Sequence, residues 1–336
     1  MKILFCSRVF APSVGGIETV SALLAEQFSR LGATVTVVTD TPGDDRGHRD
    51  YTLVRRPSVL KLCGLARKSD IVFQSNISLR TALPLLFCGK PIVITHHGIS
   101  TRANGSLGWQ DRMKRAVFRL CVNLAISNAV ADELSVKSTV VGNPFEASEF
   151  TAEDDSVRDK DLVFLGRLVS DKGCDIALRA LAILKNEGTR ATFTVIGEGP
   201  EMPKLQRLST ELGIADQVDF RGTIREGRGR ELARHKVMVV PSTWAEPFGV
   251  VALEGLGAGC VLAASNEGGL PEAVGRCGLL FPKGNAEALA AAVKRLLTDA
   301  RLRATLLAAR STHLARFQPE TIAHRYLEIF ESVLRN

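Results

Sequence analysis

No stretch of this 336-residue chain approaches the ~18 consecutive apolar residues of a membrane-spanning helix, so none is expected. The opening MKILFCSRVFAP holds an apolar run too short for a cleavable signal and reads as a first β-strand. Cysteine occurs only singly, at Cys6, Cys63, Cys88, Cys121, Cys174, Cys260 and Cys277, with no CxxC pair and no histidine cluster beside it. That scatter argues against a disulfide framework or a zinc ribbon and suits reduced thiols in a cytoplasmic protein. HExxH, GxGxxG and GxxxxGK[ST] are all missing, which argues against a metalloprotease, a dinucleotide oxidoreductase and a P-loop ATPase. One DxD is present, Asp159 to Asp161, but it falls in a polar connection and reads as solvated linker charge. Neither a metal nor a resident cofactor is therefore expected. Aromatics make up only 6% of the chain and no nucleic-acid module is recognisable, so nucleic acid is not an expected partner.

What is present is the composition of a globular protein, 45% hydrophobic and 24% charged, long enough for two domains of about 150 residues each. The net charge of +7 is uneven: residues 1–150 hold 18 Lys and Arg against 12 Asp and Glu, the remainder 25 against 24. Arg55, Arg56, Lys61, Arg67, Lys68, Arg80, Arg102, Arg112, Lys114, Arg115 and Arg119 carry the excess. In WQDRMKRAVFRLCV, Trp109, Met113, Val117 and Leu120 fall at helical spacing with cations between them. Such a helix can lie on an anionic membrane, bind an acidic substrate, or simply bury its stripe in its own domain.

Apolar β-branched runs alternate with helical patterns along both halves. The first half reads KILFCS, the helix ETVSALLAEQFSRLG beginning at Glu18 or Thr19, TVTVVTD, DIVFQS, PIVITHH and NLAIS; the second reads DLVFLG, the helix CDIALRALAILKNEG, TFTVIG, QVDFRG, VMVVPS, CVLAAS and CGLLF. Each half is the pattern of a doubly wound parallel α/β domain. ASEFTAEDDSVRDK, residues 147–160, is polar and poor in large apolar residues and reads as the connection. Ligands of doubly wound sheets bind beyond the carboxyl ends of the strands, so two such domains can face each other across a cleft.

EPFGVVALE, Glu246 to Glu254, sets two carboxylates eight positions apart in apolar sequence. Glu246 falls in the loop after the strand VMVVP, and Glu254 on a helix apolar on every side. A desolvated carboxylate needs a cation or hydroxyl donors. A ribose diol supplies the latter, and the amides of Phe248, Gly249 and Val250 at the first turn can hold a phosphate. A structural ion pair satisfies Glu254 equally, and the spacing leaves both readings open.

Other polar residues also follow strands. Gly15 and Gly16 let backbone approach a ligand in APSVGGIET, or simply make a turn. Arg167 ends DLVFLG and Lys172 follows five residues later, two cations that can bracket a diphosphate. His96 and His97 end PIVIT, and either can hydrogen-bond a sugar hydroxyl while the other points into the fold. The GEG at Gly197 to Gly199 is a lone turn signal.

The GGIE loop, ITHHG, FLGRLVSDKG, VIGEGPE, FRG, EPFGVVALEGLGAG and NEGGLPEAV together resemble the retaining glycosyltransferases of family four over nearly the whole chain, E-x7-E being the most specific element. The resemblance implies the GT-B fold, two doubly wound Rossmann-like domains facing across a cleft. Residues 1–150 correspond to an acceptor-binding domain, 151–318 to a nucleotide-sugar-binding domain, and 319–336 to a C-terminal helix placed to pack back on the first. It further implies His97, Glu246, Arg167 and Lys172 as catalytic. Gly16, Ile224, Phe248, Gly249, Val250, Val251 and Glu254 correspond to donor-binding positions, with Ile224 near the base and Glu254 at the ribose. His97 rather than His96 matches the family's active-site histidine by its place two residues after Thr95. The implied reaction moves a sugar with retention and without metal from a nucleoside-diphosphate sugar, a UDP-sugar by preference, to a glycan or lipid-linked acceptor in surface polysaccharide or lipopolysaccharide assembly. The alternatives are a nucleotide-sugar epimerase or phosphorylase of similar fold, and a non-catalytic sugar- or nucleotide-binding module.

Overall fold

The computed structural model describes residues 1–13, 15–43, 49–98, 108–146, 148–150 and 158–335. Contacts divide the chain into Met1–Pro144 with Phe317–Asn336, and Phe145–Arg316. The first break lies six residues before the 150/151 boundary because Phe145 packs on Phe150, ring centroids 5.7 Å apart, and the Phe145 ring and Phe150 Cβ both press on Gly257 of the second unit. Residues 147 and 151–157 of the connection read from the sequence lie outside the described residues, as does Arg102.

The first unit is a seven-stranded parallel sheet. Its strands are β1 (Lys2–Ser7), β2 (Thr34–Thr39), β3 (Thr52–Arg55), β4 (Ile71–Ser75), β5 (Ile92–His96), β6 (Val122–Ala125) and β7 (Ser138–Val140), in the order β3-β2-β1-β4-β5-β6-β7. The central strands β1, β4 and β5 are almost wholly buried, as continuous apolar runs covered on both faces must be. The edge strands β3 and β7 are half-exposed and carry no such run, which is why hydrophobic patterning passes over them. The first helix, Gly16–Arg30, starts ahead of Glu18 because Gly15 is its cap. Its Phe28 packs with Phe73 of β4 and with Tyr326 and Phe330 of the C-terminal helix Pro319–Arg335, at centroid distances of 5.7 to 6.0 Å, and Phe73 lies 5.3 Å from each of the latter two rings. Burying each such ring stabilises by about 1.5–3 kcal/mol, and the Tyr326 hydroxyl lies 3.0 Å from Thr95 Oγ1 on β5.

The basic helix spans Trp109–Phe118, and its apolar stripe is split: Val117 and Phe118 are buried, whereas Trp109 and Leu120 are 67% and 70% exposed. Leu120 lies past the helix end, so the 3.6-residue period does not carry it to the buried face.

The second unit is a six-stranded parallel sheet of β8 (Lys160–Leu165), β9 (Phe193–Ile196), β10 (Val218–Gly222), β11 (His235–Val240), β12 (Val261–Ser265) and β13 (Gly278–Phe281), ordered β10-β9-β8-β11-β12-β13. Its core joins Leu162, Phe164, Leu178, Leu181, Val195 and Val239. The DxD is not linker charge. Asp161 belongs to β8 and accepts from Lys236 Nζ at 2.8 Å and from the Thr192 amide at 3.0 Å, while Asp159 forms a two-point pair with Arg234. These bonds sit at the amino-terminal end of β8, away from where such sheets bind ligands.

Candidate active site

Both sheets reverse strand order once, between β1 and β4 in the first unit and between β8 and β11 in the second. Such switch points open a crevice at the carboxyl ends of the strands. Arg167 follows β8 and Glu246 follows β11, so the second switch point collects them from distant parts of the sequence.

Lys172 closes the short turn Ser170–Lys172 after β8 and forms an ion pair with Glu246 Oε1. The turn seats on the end of β11: Thr243 donates its amide to Asp171 O at 2.9 Å, and a Cβ at Gly173 would stand 2.0 Å from Pro241 O. Only glycine permits that approach. Ser242 Oγ also donates to Glu246 Oε1 at 2.8 Å, and Ser265 Oγ donates to the Ser242 carbonyl at 2.8 Å. Glu246 is thus buried with two donors on one oxygen, and its Oε2 takes no hydrogen bond among the described residues. Arg167 is exposed, and its guanidinium has no partner among them.

The loop carrying Glu246 rests on NEGGLPEAV. Gly268, at φ +59°, brings its backbone so close that a Cβ would lie 2.3 Å from Glu246 O, and the Gly269 amide donates to that carbonyl at 2.7 Å. Helix Val250–Gly257 starts directly after this loop, capped by Gly249; Ala252 donates its amide to Gly249 O at 2.9 Å, and the amides of Val250 and Val251 ahead of it have no intrahelical acceptor. Phe248 is buried, and Gly249, Val250 and Val251 are half-buried. The GEG turn is more than a lone signal: Gly197 and Gly199 pack against the backbone of Gly166 and Leu168, on either side of Arg167. Ile224 lies after the edge strand β10, two strands from β8, where Thr223 donates its amide to Glu198 Oε1 at 3.3 Å.

Glu254 does have an ionic partner. Arg228 Nη2 is 3.5 Å from its Oε1 and also 3.3 Å from Glu149 Oε2, with the guanidinium carbon 5.0 Å above the Phe150 ring. Burial holds the Glu254 carboxyl above the usual carboxylate range; Arg228 opposes that shift and the Glu149 charge adds to it. The ion-pair reading therefore holds for Oε1, while Oε2 takes no hydrogen bond among the described residues.

In the first unit the two adjacent histidines part company. His96 is buried in β5 with Nε2 2.9 Å from Asn123 Oδ1 and its ring edge-on to Phe118 at 4.5 Å. His97, the next residue, lies with Nε2 3.1 Å from Ser75 Oγ at the end of β4. Burial, then the His96 charge, push the His97 pKa down to about 4, so its ring is neutral at pH 7. Gly16 begins its helix with nothing within 4 Å of a Cβ built there. A cleft at this switch point is lined by Arg8, Asp40, Asn76, Ser78 and Thr81. Among the described residues no group of three or more His, Cys, Asp or Glu is placed to hold a metal ion, and no helix is long and apolar enough to cross a membrane.

The Glycosyltransferase Family 4 model matches residues 14–141, and the Glycosyl transferases group 1 model matches residues 159–299. Glycogen synthase of Mycobacterium tuberculosis is 30% identical over 311 residues, which cover 85% of this chain and 74% of that protein. The chain belongs to the family-four glycosyltransferases. D-inositol 3-phosphate glycosyltransferase of Acidothermus cellulolyticus is 35% identical over 184 residues, 52% of this chain but only 41% of that protein's length. The crystal structure of Anabaena Alr3699/HepE in complex with UDP superposes with a TM-score of 0.83 at 21% identity, covering 99% of this chain and 100% of that one. Its complex with UDP-glucose gives 0.78 over the same coverage. At that identity the likeness establishes the fold, the GT-B pair of parallel-sheet Rossmann-like units.

Of the positions read from this glycosyltransferase's sequence, the second unit brings together Lys172 and Glu246 by direct bonding, with Arg167 on the neighbouring strand end. Sequence reasoning did not reach Arg228, Ser242 and Ser265, nor Ser75 beside His97. Ser242 and Ser75 each stand at the end of an apolar strand, which is a usable signal; Arg228 lies in an exposed-looking REGRGR run and offers none.

Proposed function

We propose that this chain is a retaining, metal-independent glycosyltransferase that moves a sugar from a nucleoside-diphosphate sugar, a UDP-sugar, to a glycan or lipid-linked acceptor in surface polysaccharide or lipopolysaccharide assembly. The observation that carries the reading is the convergence of Arg167, Lys172, Glu246 and the first turn of helix Val250–Gly257 on one switch point. Two cations and a set of helix amides suit a diphosphate, and two carboxylates with an open Oε2 each suit sugar and ribose hydroxyls. The UDP and UDP-glucose complexes of HepE support uracil as the base.

In this reading the bond from the anomeric carbon to the phosphate oxygen breaks, and a bond to the acceptor oxygen forms on the same face. The acceptor's proton passes to the departing phosphate. Arg167, Lys172 and the helix amides offset the charge that develops there, which is the largest single contribution a preorganised site makes. No separate general base is needed. Glu246 holds the transferred sugar, Glu254 the ribose, and the backbone near Ile224 the base.

The experiment is thermal stabilisation by UDP, GDP, ADP, TDP and their sugars, with and without EDTA, followed by product analysis with candidate acceptors. A selective shift with one base that survives EDTA supports the donor site; no shift with any nucleotide refutes it. Donor turnover without acceptor points to an epimerase, and binding without turnover to a binding module. A cytoplasmic protein peripheral on an anionic membrane fits exposed Trp109 and Leu120 beside Arg112, Lys114, Arg115 and Arg119. Sedimentation with anionic vesicles at low salt tests it, and absence of binding there refutes it.

A further inference from the structure

A line of buried hydroxyls joins the first strand to His97. Ser7 Oγ, at the end of β1, is 2.7 Å from Val9 O and 3.0 Å from Ser21 Oγ on helix Gly16–Arg30. Ser21 Oγ is 3.0 Å from Ser75 Oγ at the end of β4, and Ser75 Oγ is 3.1 Å from His97 Nε2. Ser7, Ser21 and Ser75 are almost wholly buried. Adjacent register sets Ser7 opposite Ser75 across the β1–β4 pair, and Ser21 bridges them from the helix.

Four hydrogen bonds run along this line, and three hydroxyls supply only three protons. The Val9 carbonyl can only accept, and two oxygens without a proton between them repel at 2.7 Å, so the Ser7 proton points to Val9. Ser21 must then donate to Ser7, and Ser75 to Ser21. The proton of the last bond has to come from the imidazole. We propose that the chain Ser7–Ser21–Ser75 holds His97 as the Nε2–H tautomer, so that the ring presents an unprotonated Nδ1 as a hydrogen-bond acceptor for a ligand hydroxyl at the first unit's switch point.

His97 Nδ1 takes no hydrogen bond among the described residues, so the lone pair is left for a ligand. His96 is the less accessible ring, set edge-on against Phe118 with 1% of the residue exposed against 9% for His97. The three serines act through His97 and are positioning residues. The role assigned to Nδ1 rests on the transferase reading, whereas the tautomer does not.

The test uses the full-length protein labelled with 15N and long-range proton–nitrogen NMR of the imidazoles, with His97→Gln to assign the ring. Wild type should show Nε2 protonated and Nδ1 bare. Ser21→Ala breaks the line at its centre without touching His97 and frees the Ser75 proton to turn to Nε2, moving the ring toward Nδ1–H. The sugar-transfer kcat should then fall at least about tenfold with the Kd for UDP unchanged, and Ser21→Thr should restore both tautomer and kcat. Wild-type Nδ1–H, an unchanged tautomer in Ser21→Ala, or a moved tautomer with unchanged kcat each overturns the proposal. The NMR reading needs no substrate, so a wild type that transfers no sugar refutes the transferase reading while the serine chain is still decided.

Discussion

Lys172→Met tests whether the Lys172–Glu246 pair is held out of water. The two side chains are 23% and 11% exposed, between a rim pair, whose worth is about 0–1 kcal/mol, and a buried one, where removing one partner costs about 3–5 kcal/mol. Discounting for the exposed part of Lys172 gives a loss of about 2 kcal/mol, because Glu246 keeps only the Ser242 hydroxyl. Glu246→Gln should cost less, about 0.5–1 kcal/mol, since the amide still accepts from Ser242 and the more exposed lysine can turn its ammonium to water. Urea titration followed by circular dichroism on both single variants and the double variant closes the cycle. The coupling expected is about 1–2 kcal/mol, with a Tm loss of about 4–8 °C for Lys172→Met. Equal single losses that add within about 0.3 kcal/mol would show that the pair is solvated and that the argument from burial is wrong.

Glu254→Gln should raise the ligand-free Tm at pH 7.5 and abolish the shift produced by UDP. With its folded pKa above the unfolded one, the ionised carboxyl costs stability at neutral pH and the cost fades as pH falls through that raised value, so the variant's gain should shrink on acidification. Gly268→Ala, at φ +59° and with its Cβ 2.3 Å from Glu246 O, should lose about 2–4 kcal/mol in calorimetry and weaken UDP in titration; wild-type stability would contradict the close packing. Tyr326→Phe should lose about 1 kcal/mol in urea titration through the missing partner of Thr95 Oγ1, and an unchanged midpoint would show that this hydrogen bond contributes nothing net.

The parallel strands were legible because a strand covered on both faces is built on an apolar run, and ILFC, IVF and IVI supply one each, with the polar residues Ser7, Gln74, Ser75, Thr95 and His96 only towards their carboxyl ends. β3 and β7 were not, since an edge strand half-open to water leaves no run to read. Lys172 and Glu246, 74 residues apart, were individually legible from their places after strands, but their bond follows from β8 and β11 being neighbours, which only the strand order decides. The split of His96 from His97 depends on which faces Asn123 and Ser75 occupy, and no spacing along the chain encodes that. Asp161 misled for the opposite reason: polar sequence before a strand looks like linker until its partners, Lys236 and Thr192, are brought beside it by pairing.

The two carboxylates differ in how firmly their cations hold them, and the difference bears on what a ligand must displace. An ammonium carries three donors, so Lys172 can keep its bond to Glu246 Oε1 and still offer two to a phosphate; the pair orients the lysine without using it up. Arg167 has five donors and no partner among the described residues, so in the proposed donor site it would meet an incoming anion unpaired. Arg228 sits at 3.5 Å from Glu254, shared with Glu149 and leaning on the Phe150 ring, a slack arrangement that leaves the carboxyl shifted by burial. Two hydroxyls on Glu254 Oε2 would therefore relieve a desolvation that Arg228 only partly offsets, whereas hydroxyls on Glu246 Oε2 would join a carboxylate whose other oxygen Lys172 and Ser242 already hold. Loss of the Glu254 carboxylate should thus act on binding affinity, and loss of the Lys172–Glu246 pair on the geometry in which the bound donor reacts.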